Sequence, residues 1–141
     1  MTIAELKENE IGNVSNIYLQ AFGTRETEMF VGLLSSTTSK CFVVKNGVMP
    51  IGLFITKIVE RNVEIITIAI DSNYRGQGLS SKCIEFVVQK AKNSGYENVF
   101  FEMDKNNITA IEKYSNLGFE IMNEKNTIKG SQLVVMYKSL K

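Results

Sequence analysis

Between two apolar segments the chain reads Asp71-Ser72-Asn73-Tyr74-Arg75-Gly76-Gln77-Gly78-Leu79-Ser80-Ser81-Lys82, and no other stretch constrains the fold as much. The run before it, Val63 to Asp71, is almost all apolar (Val63, Ile65, Ile66, Ile68, Ala69, Ile70), which predicts a strand buried on both faces. In the run after it, Leu79, Cys83, Phe86, Val87 and Ala91 recur at helical spacing. That predicts an amphipathic helix from about Gly78 to Ser94, with Lys90 and Lys92 in the last turn and Gly95 as cap. Gly76 and Gly78 let the backbone approach a ligand without a Cβ clash. The first N–H groups of a helix have no internal partners, and with the helix dipole they attract an anion. Arg75 and Lys82 add positive charge, although a lone helix lysine is more often solvated. The direct reading is a cradle for phosphate or pyrophosphate; a glycine turn that only packs helix on strand satisfies the same residues.

The type of phosphate ligand can be narrowed. A P-loop needs Lys-Ser/Thr after its second glycine, where this chain has Leu79. A dinucleotide loop would carry a third glycine where Ser81 stands, and would follow a first parallel strand. Instead, the preceding half predicts a strand at Thr2 to Leu6 and a helix with its apolar stripe at Val14, Ile17, Tyr18, Ala21 and Phe22, stopped by Gly23. A shorter helix around Met29, Phe30, Leu33 and Leu34 follows. Two strands, Cys41 to Lys45 and Val48 to Val59, are then joined at Asn46-Gly47, with Pro50 near the start of the second. Beyond Gly95 the pattern predicts a buried strand from Asn98 to Met103. A helix from about Asn107 to Leu117 turns Ala110, Ile111, Tyr114 and Leu117 inward, with Gly118 as cap. A closing pair, Phe119 to Asn123 and Gln132 to Tyr137, completes the chain. This order is a mixed α/β fold on one central sheet.

Composition removes several function classes. With 141 residues, one domain spanning 1–141 is expected. A net charge of +1 without a basic run gives no attraction to nucleic acid or an anionic membrane. No apolar stretch approaches the ~20 residues that span a bilayer, and the start Met1-Thr2-Ile3-Ala4-Glu5 lacks the pattern of a signal peptide. The expected location is therefore cytoplasmic, where Cys41 and Cys83 are free thiols. There is no histidine. That excludes Ser-His-Asp and Cys-His catalysis, and no metal site is expected.

The run "IAIDSNYRGQGLSSK" resembles the coenzyme A-binding signature of the GNAT acetyltransferase superfamily, Arg/Gln-x-x-Gly-x-Gly/Ala, here Arg75, Gly78 and Ser80. The later "NNITAIEKYSNLGFE" resembles the family's second signature through Asn107, Ala110, Tyr114, Gly118 and Phe119. Ser80 replaces the usual Gly/Ala, and its hydroxyl can donate to phosphate; Ser72 stands where proline is common. The resemblance implies the GNAT fold, a central, mostly antiparallel sheet flanked by helices. It also implies acetyl-CoA as co-substrate and an amine as acceptor. The backbone of Ile68, Ala69 and Ile70 is implied to pair with the pantetheine arm, with an N–H there, that of Ile70, on the thioester oxygen. The N–H groups of Arg75, Gly76, Gln77, Gly78, Leu79 and Ser80 are implied to hold the pyrophosphate, and Asn107 to bond near the pantetheine.

Tyr114 stands where the family commonly keeps a phenol that protonates the departing thiolate. For a lysine acceptor, deprotonation at pH 7 costs about 4.6 kcal/mol; for an α-amine, about 1.4 kcal/mol. A carboxylate base is accordingly useful, and two are candidates. Glu102 lies twelve residues before Tyr114, where the ribosomal-protein N-terminal acetyltransferase branch keeps its base; Glu64 lies where histone-type members keep theirs. Each also reads as a solvated strand glutamate; Glu102, between Phe101 and Met103, is preferred. The expectation is an N-acetyltransferase acting by direct attack in a ternary complex. Its rival is a non-catalytic acyl-CoA-binding sensor, with nucleotide binding a distant third. Acceptor choice is expected to depend on Ala21 to Ser39 and Glu124 to Ser131. The amine itself and a homodimer stay open.

Overall fold

The computed structural model describes residues 1–126, 130 and 132–141. The expected acceptor loop from Glu124 to Ser131 falls partly on 127–129 and 131, outside the described residues. The elements in chain order are β1 (Thr2–Glu5), α1 (Ile11–Phe22), α2 (Thr27–Ser35), β2 (Ser39–Asn46), β3 (Met49–Val59), β4 (Asn62–Ile70), α3 (Leu79–Asn93), β5 (Asn98–Asp104), α4 (Ile108–Asn116), β6 (Glu120–Asn126) and β7 (Gln132–Ser139). Hydrogen-bonded neighbours run in the order β1-β2-β3-β4-β5-β7-β6. The pairs β1–β2, β2–β3, β5–β7 and β6–β7 are antiparallel, whereas β4–β5 is parallel. The sheet is thus mostly antiparallel with flanking helices, as the family resemblance implies.

The chain divides into two compact units, Met1–Ile58 with Ile65–Glu85, and Val59–Glu64 with Phe86–Lys141. In the first, the apolar stripe of α1 (Val14, Ile17) and Phe30 of α2 pack with Cys41 and Val43 of β2, Leu53 and Ile55 of β3 and Ala69 of β4. Strand alternation turns Phe42 and Phe54 to the other face, where their rings stack with centroids 5.0 Å apart. Gly23, at φ +81°, ends α1, as its position predicts. The hairpin turn centres on Gly47 (φ +63°) and Val48, one residue past the expected Asn46-Gly47, with Asn46 paired to Met49. A glycine at the first central position suits a two-residue primed turn, which explains the shift. Glu10 is buried beside Lys45, and its Oε1 accepts the Lys7 N–H at 2.9 Å. The charge is therefore paired rather than stranded.

In the second unit, α3 ends in a paired cap: the Tyr96 N–H donates to Ala91 O (3.0 Å) and the Gly95 N–H to Lys92 O (3.2 Å), with Gly95 at φ +85°. Val99 and Phe101 of β5 are buried, and Phe101 lies against Tyr114 of α4 and against Phe119. Gly118, at φ +93°, lets Lys138 come within 3.2 Å of where a Cβ would stand; Lys138 Nζ donates to Leu117 O at 2.9 Å and so closes the end of α4.

Two burial expectations are corrected. β4 is not buried on both faces, since Ile66 is 50% exposed. β5 alternates, with Val99 and Phe101 buried and Glu102 exposed. The four residues expected to turn inward from α4, Ala110, Ile111, Tyr114 and Leu117, are half-buried, and no residue of α4 is fully buried. An apolar run shows that a segment can be covered, but the neighbours decide which face is.

Candidate functional site

The glycine loop lies wholly in the first unit. The Asp71 N–H donates to Ile51 O (2.8 Å), fixing where β4 ends. Asp71 then organises a 3₁₀ turn at Ser72–Tyr74: its Oδ1 accepts the Asn73 N–H and its carbonyl the Tyr74 N–H, both at 2.9 Å. Arg75 folds back, its Nε donating to Ile70 O at 3.1 Å. Part of its donor set therefore holds the loop.

Gly76 and Gly78 have φ of +80° and +75°, and nothing lies within 4 Å of a Cβ built on either. The glycines are required by backbone conformation, not by close helix–strand packing. Helix α3 opens with the Lys82 N–H donating to Gly78 O at 3.2 Å. Among the described residues, no backbone carbonyl accepts from the N–H groups of Gly76, Gln77, Gly78 or Leu79. Consecutive amides in left-handed turns at a helix start form the kind of concavity that takes a phosphate oxygen. These residues fit a coenzyme pyrophosphate.

The candidate acid and bases lie in the second unit. The parallel ladder of β4 with β5 pairs Asn62 with Asn98, Val63 with Val99 and Glu64 with Phe100. Across β5 and β7, Phe100 pairs with Tyr137 and Glu102 with Val135. Directly paired residues share a face. Glu64, Phe100 and Tyr137 accordingly form one row, with Glu102 and Val135 in the next along β5. The Cα atoms of Glu64 and Glu102 are about 8 Å apart by strand geometry. Tyr114 lies on the other side of β5, its ring edge-on to Phe101 with centroids 4.9 Å apart. Asn107 is the N-cap of α4: its Oδ1 accepts the Ala110 N–H at 3.2 Å. The structure thus brings Glu64 and Glu102 to one face and places Tyr114 on the opposite one.

Sequence reading missed Tyr137 and Glu120. The Tyr137 hydroxyl donates to Glu120 Oε2 at 3.1 Å, and that carboxylate raises the phenol's pKa. Their only sequence signal is alternation in the last two strands, which does not reveal the pairing. Cys41 and Cys83 are free and buried, and burial pushes each thiol up to about 12. Among the described residues, no group of three or more Cys, Asp and Glu is placed to hold a metal ion, and no helix is long and apolar enough to cross a membrane.

A sequence model of the Acetyltransferase (GNAT) family matches residues 11–119. The [ribosomal protein bS18]-alanine N-acetyltransferase of Escherichia coli K12 is 30% identical over 77 residues, 55% of this chain and 51% of that protein. Such matches span 27% to 51% of the length of these curated relatives. The crystal structure of the Escherichia coli ribosomal-protein-S18-alanine N-acetyltransferase superposes with a TM-score of 0.85 at 20% identity, covering 99% of this chain and 94% of that one. An aminoglycoside 6'-N-acetyltransferase complexed with coenzyme A gives 0.84 at 11% identity, covering 100% and 98%. At these identities the superpositions show the fold.

Proposed function

The chain belongs to the acetyltransferase (GNAT) family, and from that premise we propose that residues 1–141 act as one domain that transfers an acetyl group from acetyl-CoA to a primary amine. The observation that carries this is the loop: left-handed Gly76 and Gly78, with successive amides from Gly76 to Leu79 that no backbone carbonyl accepts from among the described residues. The N–H groups from Arg75 to Ser80 hold the pyrophosphate, and the backbone of Ile68, Ala69 and Ile70 lines the pantetheine, with the Ile70 N–H on the thioester oxygen. Asn107, whose Oδ1 is engaged as a helix cap, uses its amide N–H groups towards the same arm.

The bound coenzyme supplies an activated thioester. Glu102 takes a proton from the acceptor ammonium, directly or through water, with Glu64 as the second carboxylate on that face. The neutral nitrogen forms the C–N bond as the C–S bond breaks. The Tyr114 hydroxyl gives its proton to the departing sulfur, and the proton that the newly acylated nitrogen loses restores the phenol through solvent, leaving an amide and free coenzyme. Acid and base lie on opposite sides of β5, so the proton donor and the proton acceptor approach the reacting carbonyl from different directions. With both thiols buried and protonated, the acyl group passes to the amine without a cysteine carrier. Free buried thiols also suit the reducing cytoplasm, where we place the enzyme.

The test is thiol release from acetyl-CoA over a panel of amines. Turnover with any amine supports the reading. Tight coenzyme binding without turnover of any of them favours a sensor that uses the loop alone.

A further inference from the structure

On the face that carries Glu64 and Glu102, a cleft of about 430 Å³ opens over Phe100, Val135 and Tyr137, between Asn62 and Asn98 at one end and Met122 and Asn123 on β6. All of these residues belong to the second unit. We infer that this cleft holds the body of the acceptor, and that the acceptor is a monoamine whose body is uncharged and largely apolar. The inference rests on the acyl-transfer reading above.

Three observations carry it. First, the cleft continues from the candidate bases. Phe100 is paired with Glu64 on one side and Tyr137 on the other, and Glu102 is the next residue along β5 on the same face. An ammonium drawn to the two carboxylates places its substituent over Phe100. Second, none of the described residues lining the cleft is charged. A phosphate or carboxylate on the acceptor finds no cation there, and the Glu120 carboxylate that borders the lining is already engaged by the Tyr137 hydroxyl at 3.1 Å. The polar groups of the cleft are the Tyr137 hydroxyl and the amides of Asn62, Asn98 and Asn123, and Asn98 Nδ2 donates to Asn62 Oδ1 at 3.0 Å. Such amides can bond a neutral polar end. The volume suits a small molecule or a short peptide end.

The third observation concerns Met122. Ile121 pairs with Met136 and Asn123 with Val135, so Met122 is an extra residue in a bulge of β6. Bulges re-aim side chains and are frequent beside active sites. Here the bulge adds a thioether to the cleft wall, a flexible apolar surface that adapts to its ligand. Met122 is 56% exposed, so changing it leaves the core intact.

The experiment uses the full chain, with 2-phenylethylamine, spermidine and phosphoethanolamine as acceptors. Both acetyl transfer and calorimetric binding are read, in the wild type and in Met122→Lys and Phe100→Ala. The expected result is preference for 2-phenylethylamine, with kcat/KM lowered about 10- to 100-fold in either variant and the KM for acetyl-CoA unchanged. Preference for spermidine or phosphoethanolamine overturns the inference while leaving acyl transfer standing, as does an unaltered KM in Met122→Lys. If no amine is turned over, the acyl-transfer reading fails separately. Calorimetry then decides the cleft: binding of 2-phenylethylamine that Met122→Lys abolishes supports it, and no binding overturns it. A wild-type dimer that Met122→Lys converts to monomer shows that a second copy covers the cleft, and also overturns it.

Discussion

Gly52 sits in β3 opposite Val44, and a methyl group there has no room. A Cβ at this position would lie 2.8 Å from Ile70 Cδ1, 3.1 Å from Ala69 O and 3.6 Å from Val44 Cβ. The Ile70 methyl can rotate away at the loss of its packing. The Ala69 carbonyl is backbone within β4 and has to move by a few tenths of an ångström with its strand. Overpacking of this kind costs about 1–3 kcal/mol, partly offset by the ~0.5–1 kcal/mol that alanine gains over glycine in a strand. Gly52→Ala should therefore lose about 1–2 kcal/mol, or about 3–7 °C in Tm for a chain of this size. Gly12 and Gly32, in α1 and α2, have nothing within 4 Å of a built Cβ. The same substitution there should instead gain about 0.5–1 kcal/mol. Thermal and urea unfolding followed by circular dichroism measure all three. The shift at Ala69 and Ile70 should also raise the KM for acetyl-CoA. A Gly52→Ala protein as stable as wild type, or one moving in the same direction as the helix variants, refutes the close-approach argument.

Tyr114→Phe keeps the ring against Phe101 and removes only the hydroxyl, so Tm should stay within about 2 °C while kcat falls about 10²-fold. Coenzyme binding by calorimetry should be unchanged, and equal kcat removes Tyr114 from the mechanism. Gly78→Ala forces an L side chain to φ +75° at a strain of about 1–2 kcal/mol; the KM for acetyl-CoA should rise at least tenfold, and an unchanged KM takes the loop out of the binding site. Cys41 and Cys83, raised from 9.0 to about 12 by burial, should resist iodoacetamide at pH 8 until the protein is unfolded. Because the unfolded thiols ionise near pH 9 and the folded ones stay protonated, this contribution to stability is complete below pH 9 and falls as pH rises towards 12. Flat urea stability between pH 8.5 and 10 in the wild type, matching a Cys41→Ala/Cys83→Ala double variant, would contradict it.

Local sequence determined the strand–loop–helix unit around Gly76 and Gly78, the α1 and α3 stops at Gly23 and Gly95, and the two signatures that point to the family. Each is a property of neighbouring residues: a φ that only glycine adopts cheaply, a periodicity, a run of unpaired helix amides. Tertiary structure decided the rest. β7 lies between β5 and β6, which sets Tyr137 beside both Phe100 and Glu120. The register of β4 on β5 puts Glu64 and Glu102 on one face, with Tyr114 across the strand. The bulge at Met122, the partial exposure of Ile66 and the closeness of Gly52 to Ala69 belong to the same class. Alternation along a strand fixes which residues share a face, but the partner strand and its offset are chosen by contacts distant in sequence. The same local pattern is compatible with several neighbours, and only the folded sheet selects one.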